Sequence, residues 1–300
     1  MNTLEKNITN LHKEKGFQWL ADLPNIINLL AEKWSLTEIN PVSNMSWHYV
    51  AFAKQKNQKS VVLKVGCDEK VSQDEYLALH YFDGQGAIRL LDYDTDHSAL
   101  LLEQAIPGDL LISKHNDIEN TIRIYADTVN TLLHRSEIPE GFTHVSHWCC
   151  ALDRISDARI NKEYIELANQ LRSFLLSTAQ NERVCHGDLH CENIIHHQNQ
   201  WIVIDPKGII GEVAFEAAAF DLLSNDELKN NGDLSALILS RTKLLSDALN
   251  IEQTRLLYWI FLRTVISAQW FAEDGGDPSK MLLIAKHLHH LIKNLFSKKA

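Results

Sequence analysis

Val184–Ile195, VCHGDLHCENII, and Trp201–Gly208, WIVIDPKG, are the two stretches that decide the fold. Short runs rich in β-branched residues predict a hairpin there, and polar residues stand on either side of it. Three of these polar residues, Asp188, Asn193 and Asp205, have side-chain oxygens that can accept a proton or bind a metal ion. Phosphoryl transfer needs a carboxylate that accepts a hydroxyl proton and oxygen ligands that hold Mg²⁺ on a triphosphate. The spacing predicts that Asp188 is the base and that Asn193 and Asp205 are metal ligands.

The same stretch allows a second interpretation, a structural zinc site. Cysteine and histidine side chains can ligate zinc, and this segment contains Cys185, His186, His190, Cys191, His196 and His197. Their spacing fits no closed Cys/His pattern, so phosphoryl transfer is the preferred interpretation.

Upstream of this stretch, the hydrophobic pattern changes its period. Residues 1–33 have apolar positions at helical spacing. The following segments alternate or are rich in β-branched residues, and they predict strands at 36–42, 48–54, 60–66, 87–92 and 98–104, with a helix at 71–82 after the third strand. We therefore expect an N-terminal lobe, residues 1–104, that is rich in strands and begins with a helix.

Downstream, the pattern is helical except for the hairpin at 193–206. Helices are predicted near 117–135, 148–158, 161–179, 213–224, 233–248, 251–273 and 278–297. Residues 105–300 are thus expected to form a larger helical lobe that carries the catalytic loop and the substrate site. The predicted fold class is α+β, with two lobes of unequal size.

Lys64 lies in the centre of the apolar strand VVLKVG. Burying a lysine is costly unless a partner compensates its charge. A kinase uses such a lysine to contact the α- and β-phosphates, and a glutamate on the next helix holds it. Glu75 is the predicted partner, with Asp74 and Glu69 as alternatives. The other interpretation is an edge-strand lysine that faces water.

The motif HGD at 186–188, with Asn193 and the downstream IDP, resembles the aminoglycoside phosphotransferase superfamily, a branch of the protein-kinase-like fold. More narrowly, IDPKG followed by GEVAFEAA, and SAQWFAEDGG at 267–276, resemble the aminoglycoside/hydroxyurea antibiotic resistance kinase family, which includes streptomycin 6-phosphotransferases. The resemblance implies ATP (or GTP) and Mg²⁺ as cofactors, and it implies that residues 1–104 form a nucleotide-binding lobe with an antiparallel sheet. It also implies that His186 and Glu216 support the catalytic loop, although the family more often has Asp at the second position.

The resemblance extends to the nucleotide site. The turn between the first two predicted strands has no glycine, and the superfamily tolerates such loops, so Ser43, Asn44 and Ser46 are predicted to contact the phosphates. An ordinary hairpin turn is the alternative. The linker between the lobes lines the adenine slot in this fold, so the backbone at Glu103 and Ala105 is expected to hydrogen-bond the purine.

Charge and composition limit the partners. The 300 residues carry a formal net charge of −10, which argues against a nucleic-acid partner and is compatible with a small cationic substrate. Glu212, Glu273 and Asp274 are predicted to bind its positive groups, although acidic clusters also serve as solvated helix ends. Five irregularly spaced cysteines, and the lack of a predicted signal peptide or membrane helix, favour a cytoplasmic protein without a membrane partner, a monomer or weak dimer.

Three functions remain open from the sequence. The leading hypothesis is an ATP-dependent O-phosphotransferase that inactivates a streptomycin-type aminoglycoside. The alternative is a metabolic kinase of the same fold that acts on an amino alcohol, a sugar or a sugar-like metabolite. The third is a non-catalytic binding protein with a kinase-like shell, which the presence of Lys64, Asp188, Asn193 and Asp205 disfavours.

Overall fold

The computed structural model describes residues 2–114, 116–230 and 232–297. The chain forms two compact units, and neither is a single continuous stretch. The first contains Met1–Gly108 and His196–Lys207, and the second contains Asp109–Ile195 and Gly208–Ala300. Residues 196–207 thus belong with the N-terminal unit, although the sequence prediction assigned everything after residue 104 to the helical lobe.

The first unit is a five-stranded antiparallel sheet with two helices. Its strand order is β1-β2-β3-β5-β4. The elements are α1 (Thr3–Trp34), β1 (Leu36–Pro41), β2 (His48–Gln55), β3 (Ser60–Gly66), α2 (Glu69–Phe82), β4 (Leu90–Asp94) and β5 (Ala99–Glu103). All three strands predicted before residue 67 and the helix after them are present.

Packing explains this unit's alternating pattern. Tyr49, Ala51 and Ala53 of β2 are buried in one hydrophobic core with Leu30 and Trp34 of α1. Because successive side chains of a strand point to opposite faces, the residues between them lie on the other face of the sheet. That other face carries Lys64, which pairs with Val50 and is one of the predicted site residues.

A small hairpin contributes residues 196–207 to the first unit. Strands β9 (Ile194–His197) and β10 (Gln200–Val203) form a three-stranded sheet with β6 (Pro107–Leu110), in the order β10-β9-β6. Val203 N donates to Gly86 O, and Ile88 N donates to Val203 O, each at 2.8 Å. These two bonds attach the end of β10 to the segment after α2. They therefore help to fix the position of Asp205, which lies two residues after Val203.

The second unit is mainly helical, with a small sheet in the order β7-β11-β8. Its helices are α3 (Ile118–Leu132), α4 (Val145–Cys149), α5 (Lys162–Ser177), α6 (Val213–Ala217), α7 (Asn225–Lys229), α8 (Leu234–Leu249), α9 (Gln253–Glu273) and α10 (Ser279–Ser297). Its strands are β7 (Thr143–His144), β8 (Arg183–Cys185) and β11 (Ile209–Gly211). Helix α9 has buried residues along most of its length, and it packs against α5, α6, α8 and α10.

Three predictions for the helical region are wrong. The sequence predicted no sheet after residue 104 apart from the hairpin, but β6, β7, β8 and β11 lie there. Strands of two to four residues are too short to show a period. The helix predicted at 213–224 ends at Ala217, and the helix predicted at 148–158 is α4 followed by a 3₁₀ helix at Cys150–Arg154. Within the described residues, none of the helices has the length and apolar character needed to cross a bilayer.

Candidate active site

Lys64 is buried at the centre of an ion-pair group in the first unit. Its Nζ lies 2.6 Å from Glu75 Oε2 and 2.8 Å from Asp205 Oδ1. Lys207 Nζ also lies 2.8 Å from Asp205 Oδ1. Because β3 is an interior strand and only 7% of Lys64 is exposed, the edge-lysine interpretation is wrong. Asp74, the alternative partner, pairs instead with Lys70 on the surface of α2.

The environment sets the charges of this group. Burial would lower the pKa of Lys64, but the facing Asp205 and Glu75 carboxylates outweigh it and raise that pKa above its ordinary value. Burial would raise the pKa of Asp205, yet Lys64 and Lys207 hold it well below its ordinary value. Burial also raises the pKa of Glu75. A charged lysine therefore stands beside an ionised Asp205.

Asp205 follows β10 in a left-handed backbone conformation, with φ of 61°. Such a conformation is uncommon for residues other than glycine and clusters at functional sites. Its Oδ1 accepts hydrogen bonds from Lys64 and Lys207. Its Oδ2 accepts none from the residues that the structure describes, so one carboxylate oxygen remains for a cation.

His48 is a residue of this site that the sequence analysis missed. It begins β2, and the register pairs it with Gly66 while Val50 pairs with Lys64, so its side chain shares the face of Lys64. Burial and the nearby charge of Lys64 lower the pKa of His48 to about 3. The ring is therefore neutral at pH 7. The sequence did contain a signal for this residue. His48 stands at the start of an apolar strand, two residues after the predicted phosphate loop.

The predicted phosphate loop is an exposed turn between β1 and β2. Ser43, Asn44 and Ser46 are all exposed. The Ser46 carbonyl accepts a hydrogen bond from Asn7 Nδ2 at 3.0 Å, which holds the turn against α1. Their contact with phosphates stays a prediction.

The predicted purine contacts lie at the end of β5 and in the connection after it. Glu103 N donates to Arg89 O at 2.9 Å, so this amide already has an acceptor in the first unit. Ala105 is half-buried in the connection between β5 and β6. The neighbouring Ile106 N donates to His197 Nδ1 at 3.1 Å, which anchors this connection to the β9–β10 hairpin.

In the second unit, Glu216 holds the predicted catalytic loop by hydrogen bonds to the loop backbone. Its carboxylate accepts hydrogen bonds from His186 N at 3.1 Å and from Gly187 N at 2.9 Å. Gly187 has φ of 88°, a conformation that favours glycine. Glu216 is fully buried, and this burial raises its pKa to about 7 against the two N–H donors. His186 Nδ1 in turn accepts from Asp188 N at 3.1 Å.

Arg263 of α9 holds the predicted base, and the sequence analysis missed this role. Its Nη2 donates to Asp188 Oδ1, and its Nη1 donates to Gly187 O, each at 2.7 Å. The sequence did contain a signal for this role, since Arg263 lies inside the apolar stretch LLYWIFLRTVISAQWFA. A buried guanidinium needs an anionic partner. The sequence could not identify that partner 75 residues away.

Asn193 is oriented as a metal ligand would be. Its Nδ2 donates to Asp188 O at 2.9 Å, so the amide oxygen Oδ1 points away from that bond and takes no hydrogen bond among the described residues. An amide oxygen is of the kind that Mg²⁺ accepts when phosphates and water supply the rest, and Asp205 Oδ2 in the first unit is a carboxylate oxygen of the same kind. The chemistry of each of these two groups, taken by itself, fits Mg²⁺ on a triphosphate. The described residues contain no group of three His, Cys, Asp or Glu side chains arranged to hold a metal ion, which disfavours the zinc interpretation.

Two further side chains hold the loop at residues 186–193 and its surroundings by hydrogen bonds to backbone atoms. Tyr125 of α3 donates its hydroxyl to Leu189 O at 2.9 Å and to Glu216 O at 3.2 Å. Asp221 Oδ2 accepts from Cys191 N at 2.8 Å. Neither was assigned from the sequence, because both contacts are to backbone atoms more than 25 residues away and no pattern indicates them.

The three predicted substrate ligands differ in their surroundings. Glu212 is buried, accepts from Arg255 Nε at 2.7 Å and also accepts from the indole of Trp259. This environment disfavours contact with a substrate, since the carboxylate is already paired inside the unit. Glu273 is exposed and pairs with Arg154 at 3.0 Å. Asp274 is exposed at the end of α9. Their substrate role stays a prediction.

The family of the chain follows from sequence comparison. Residues 33–275 match the model of the aminoglycoside/hydroxyurea antibiotic resistance kinase family. The chain belongs to this family. It is similar to streptomycin 6-kinase of Streptomyces griseus, with 24% identity over 269 residues that cover 87% of each chain. It is also similar to streptomycin 3''-kinase of Klebsiella pneumoniae, with 30% identity over 256 residues that cover 81% of this chain and 91% of that protein.

The fold is similar to that of a solved aminoglycoside phosphotransferase. A thermostable mutant of aminoglycoside phosphotransferase APH(4)-Ia, solved as a ternary complex with AMP-PNP and hygromycin B, superposes with a TM-score of 0.65 at 12% identity and covers 89% of this chain and 97% of that chain. The predicted α+β protein-kinase-like fold is confirmed. As a member of this kinase family, the chain is a phosphotransferase with an alcohol group as acceptor.

Proposed function

We propose that the chain is an ATP-dependent, Mg²⁺-requiring kinase that transfers the γ-phosphate to a hydroxyl of a streptomycin-type aminoglycoside in the cytoplasm. The observation that carries this proposal is the catalytic loop, whose backbone is held by Glu216 while Arg263 holds the carboxylate of Asp188. A loop held in this way supplies the fixed acceptor for a hydroxyl proton that phosphoryl transfer needs.

In this proposal each polar group of the site has one task. Asp188 accepts the proton of the acceptor hydroxyl. Lys64, kept charged by Glu75, neutralises the α- and β-phosphates of the donor nucleotide. Asn193 and Asp205 would hold Mg²⁺, and their convergence on one ion is part of the proposal. When bound, Mg²⁺ would offset the charge that develops between the β- and γ-phosphates.

A cationic drug suits the charge of the chain. The net charge is −10, and carboxylates of Glu273 and Asp274 are exposed where α9 ends. Guanidinium and ammonium groups bind such carboxylates by charge-assisted hydrogen bonds. A new phosphate on the drug would add bulk and about two negative charges to a molecule whose own target recognises it as a cation.

An acceptor panel tests the proposal. The purified protein is incubated with Mg²⁺-ATP and, separately, streptomycin, a deoxystreptamine aminoglycoside, hydroxyurea, choline and common sugars. We expect mass spectrometry to find a phosphate adduct of streptomycin alone, and NMR of that adduct identifies the hydroxyl. An adduct of choline or of a sugar, with none of streptomycin, would support the metabolic kinase instead.

The control variant is Asp188→Asn, which keeps the shape of the side chain and removes its basicity. We expect its kcat to fall by about 10²- to 10⁴-fold, the usual contribution of a general base. Circular dichroism checks that it is folded. Full turnover in this variant would contradict the assignment of Asp188.

A further inference from the structure

Arg263 makes two different contacts with the same loop. It bonds the backbone at Gly187 and the side-chain oxygen Oδ1 of Asp188, both at 2.7 Å. The planar guanidinium presents its donors in a rigid fork. Two bonds from one fork restrict both the path of the loop and the rotation of the carboxylate, whereas a single bond would leave that rotation open.

Aromatic rings keep the guanidinium in place. Its central carbon lies 5.7 Å from the ring centre of Trp148 on α4 and 5.9 Å from that of Phe215 on α6. These contacts are within the range of cation–π attraction. Trp148 and Phe215 also pack edge to face, with ring centres 6.0 Å apart. Only 12% of the Arg263 side chain is exposed, so the arginine is confined by packing as well as by its hydrogen bonds.

The same tryptophan joins Arg263 to the end of α9. Trp148 packs edge to face against Trp270, with ring centres 5.2 Å apart. Trp270 lies one turn before Glu273 and Asp274, the exposed carboxylates proposed to meet the acceptor. A continuous series of contacts therefore runs from Asp188 through Arg263 and Trp148 to the proposed acceptor segment.

We propose that Arg263 is a positioning residue for phosphoryl transfer: it fixes the orientation of the Asp188 carboxylate, and Trp148 keeps Arg263 in the orientation that does so. Arg263 acts through Asp188 and needs no contact with the nucleotide. Its loss therefore lowers kcat, because a misplaced base slows the chemical step, and it leaves the KM for nucleotide unchanged.

Kinetics of three variants test this inference. We expect Arg263→Ala to lower kcat by about 100-fold with less than a threefold change in the KM for ATP. Arg263→Lys, which keeps the charge but not the fork, recovers part of the loss. Trp148→Phe, which keeps an aromatic ring but removes the indole, lowers kcat by several-fold. A folded Arg263→Ala or Arg263→Lys variant with wild-type kcat would overturn the inference.

Arg255→Lys is the matched control, since Arg255 lies on the same helix, is also mostly buried and also pairs with a carboxylate, that of Glu212. In the part of the chain that the structure describes, Arg255 donates to Glu212, Thr178 and Leu175, which lie outside the catalytic loop. We expect Arg255→Lys to lower the midpoint of urea unfolding while kcat stays within twofold of wild type. Equal losses of kcat in Arg255→Lys and Arg263→Lys would show a general effect of disturbing α9 and would overturn a specific role for Arg263.

The inference rests on the proposed function for its kinetic readout, and a double-mutant cycle makes it independent of any substrate. Asp188→Asn, Arg263→Lys and the double variant are unfolded in urea without ligand. If the two side chains are coupled, Arg263→Lys shifts the midpoint less when residue 188 is already Asn. Additive shifts would overturn the inference. If the cycle shows that Arg263 and Asp188 are coupled but streptomycin is not phosphorylated, the proposed acceptor is wrong and the inference about Arg263 stands.

Discussion

The buried charges of the site occur in compensated groups. Lys64 and Lys207 face Glu75 and Asp205, two cations and two anions with direct contacts of 2.6 to 2.8 Å. Such a group tolerates burial because each ion has a counter-ion, whereas removal of one member leaves an uncompensated charge. Glu216 is the exception among these residues, since backbone N–H groups take the place of a cation as its direct partners.

Glu216 predicts a dependence of stability on pH. Its pKa is raised by burial to about 7, against about 4.3 in an unfolded chain. The folded state binds this proton more tightly, so the stabilisation is complete below about pH 4.3 and is lost as the pH rises through 7. We expect the difference in free energy of unfolding, wild type minus Glu216→Gln, to fall by about 2–3 kcal/mol between pH 5 and pH 8.

The measurement is urea unfolding of both proteins across this pH range. The glutamine variant is the internal control, because every other titrating group is common to the two proteins. A difference that does not change with pH would mean that the hydrogen bonds from His186 and Gly187 outweigh burial and keep Glu216 ionised throughout.

Among the elements, helix α9 organises the second unit. Trp259 and Phe261 lie in the core, and the two arginines on either side of them reach carboxylates of other segments. Arg263 reaches the catalytic loop. Arg255 reaches Glu212, which precedes α6, and also donates to Thr178 Oγ1 at 2.9 Å after α5. The helix thus connects three segments that are distant in sequence.

The contact between Arg255 and Glu212 predicts a structural role for Glu212. Replacing Glu212 with Ala leaves the Arg255 guanidinium, 19% exposed, without its anion. We expect the free energy of unfolding in urea to fall by about 3–5 kcal/mol, the usual cost of breaking a buried ion pair. Asp274→Ala is the comparison, because this exposed residue should change stability by less than about 0.5 kcal/mol. Normal stability of Glu212→Ala, with a raised KM for the acceptor, would restore Glu212 as a substrate ligand.

In the whole molecule, the proposed chemistry is divided between the two units. Lys64, Glu75 and Asp205 belong to the first, and Asp188 and Asn193 belong to the second. The family match begins at residue 33, yet α1 before it contributes Leu4, Ile8 and Leu30 to the core of the first unit. The complete described chain is therefore the appropriate material for binding experiments.

Ligand binding should stabilise the whole protein by mass action. A nucleotide at 100 times its Kd adds about 2.7 kcal/mol to the free energy of unfolding. We expect a rise in Tm of a few degrees with Mg²⁺-ATP, measured by thermal shift, and no rise with Mg²⁺ alone. Lys64→Met should reduce the shift by at least half, since it removes the cation proposed to face the phosphates. A wild-type protein that does not respond at any nucleotide concentration would contradict the proposed nucleotide site.

Much of the architecture could be predicted from local pattern. Strand β2 alternates between more and less buried positions, and Lys64 stands out because it interrupts the apolar strand β3. The hairpin at residues 194–203 was predictable for a different reason, because two short runs rich in isoleucine and valine stand on either side of a polar turn. Strands β7, β8 and β11 were not, because two or three residues carry no period and only pairing with distant segments makes them strands.

The amino-acid sequence alone determined the family, the fold class and the identity of the polar residues Lys64, Asp188, Asn193 and Asp205, because motif spacing and hydrophobic period are local properties of a chain. Only the tertiary structure decided how their neighbours are used. It pairs Arg263 with Asp188 and Glu212 with Arg255, residues 75 and 43 positions apart. The physical reason is that the partner of a buried charge depends on which segments pack together, and packing is not a local property.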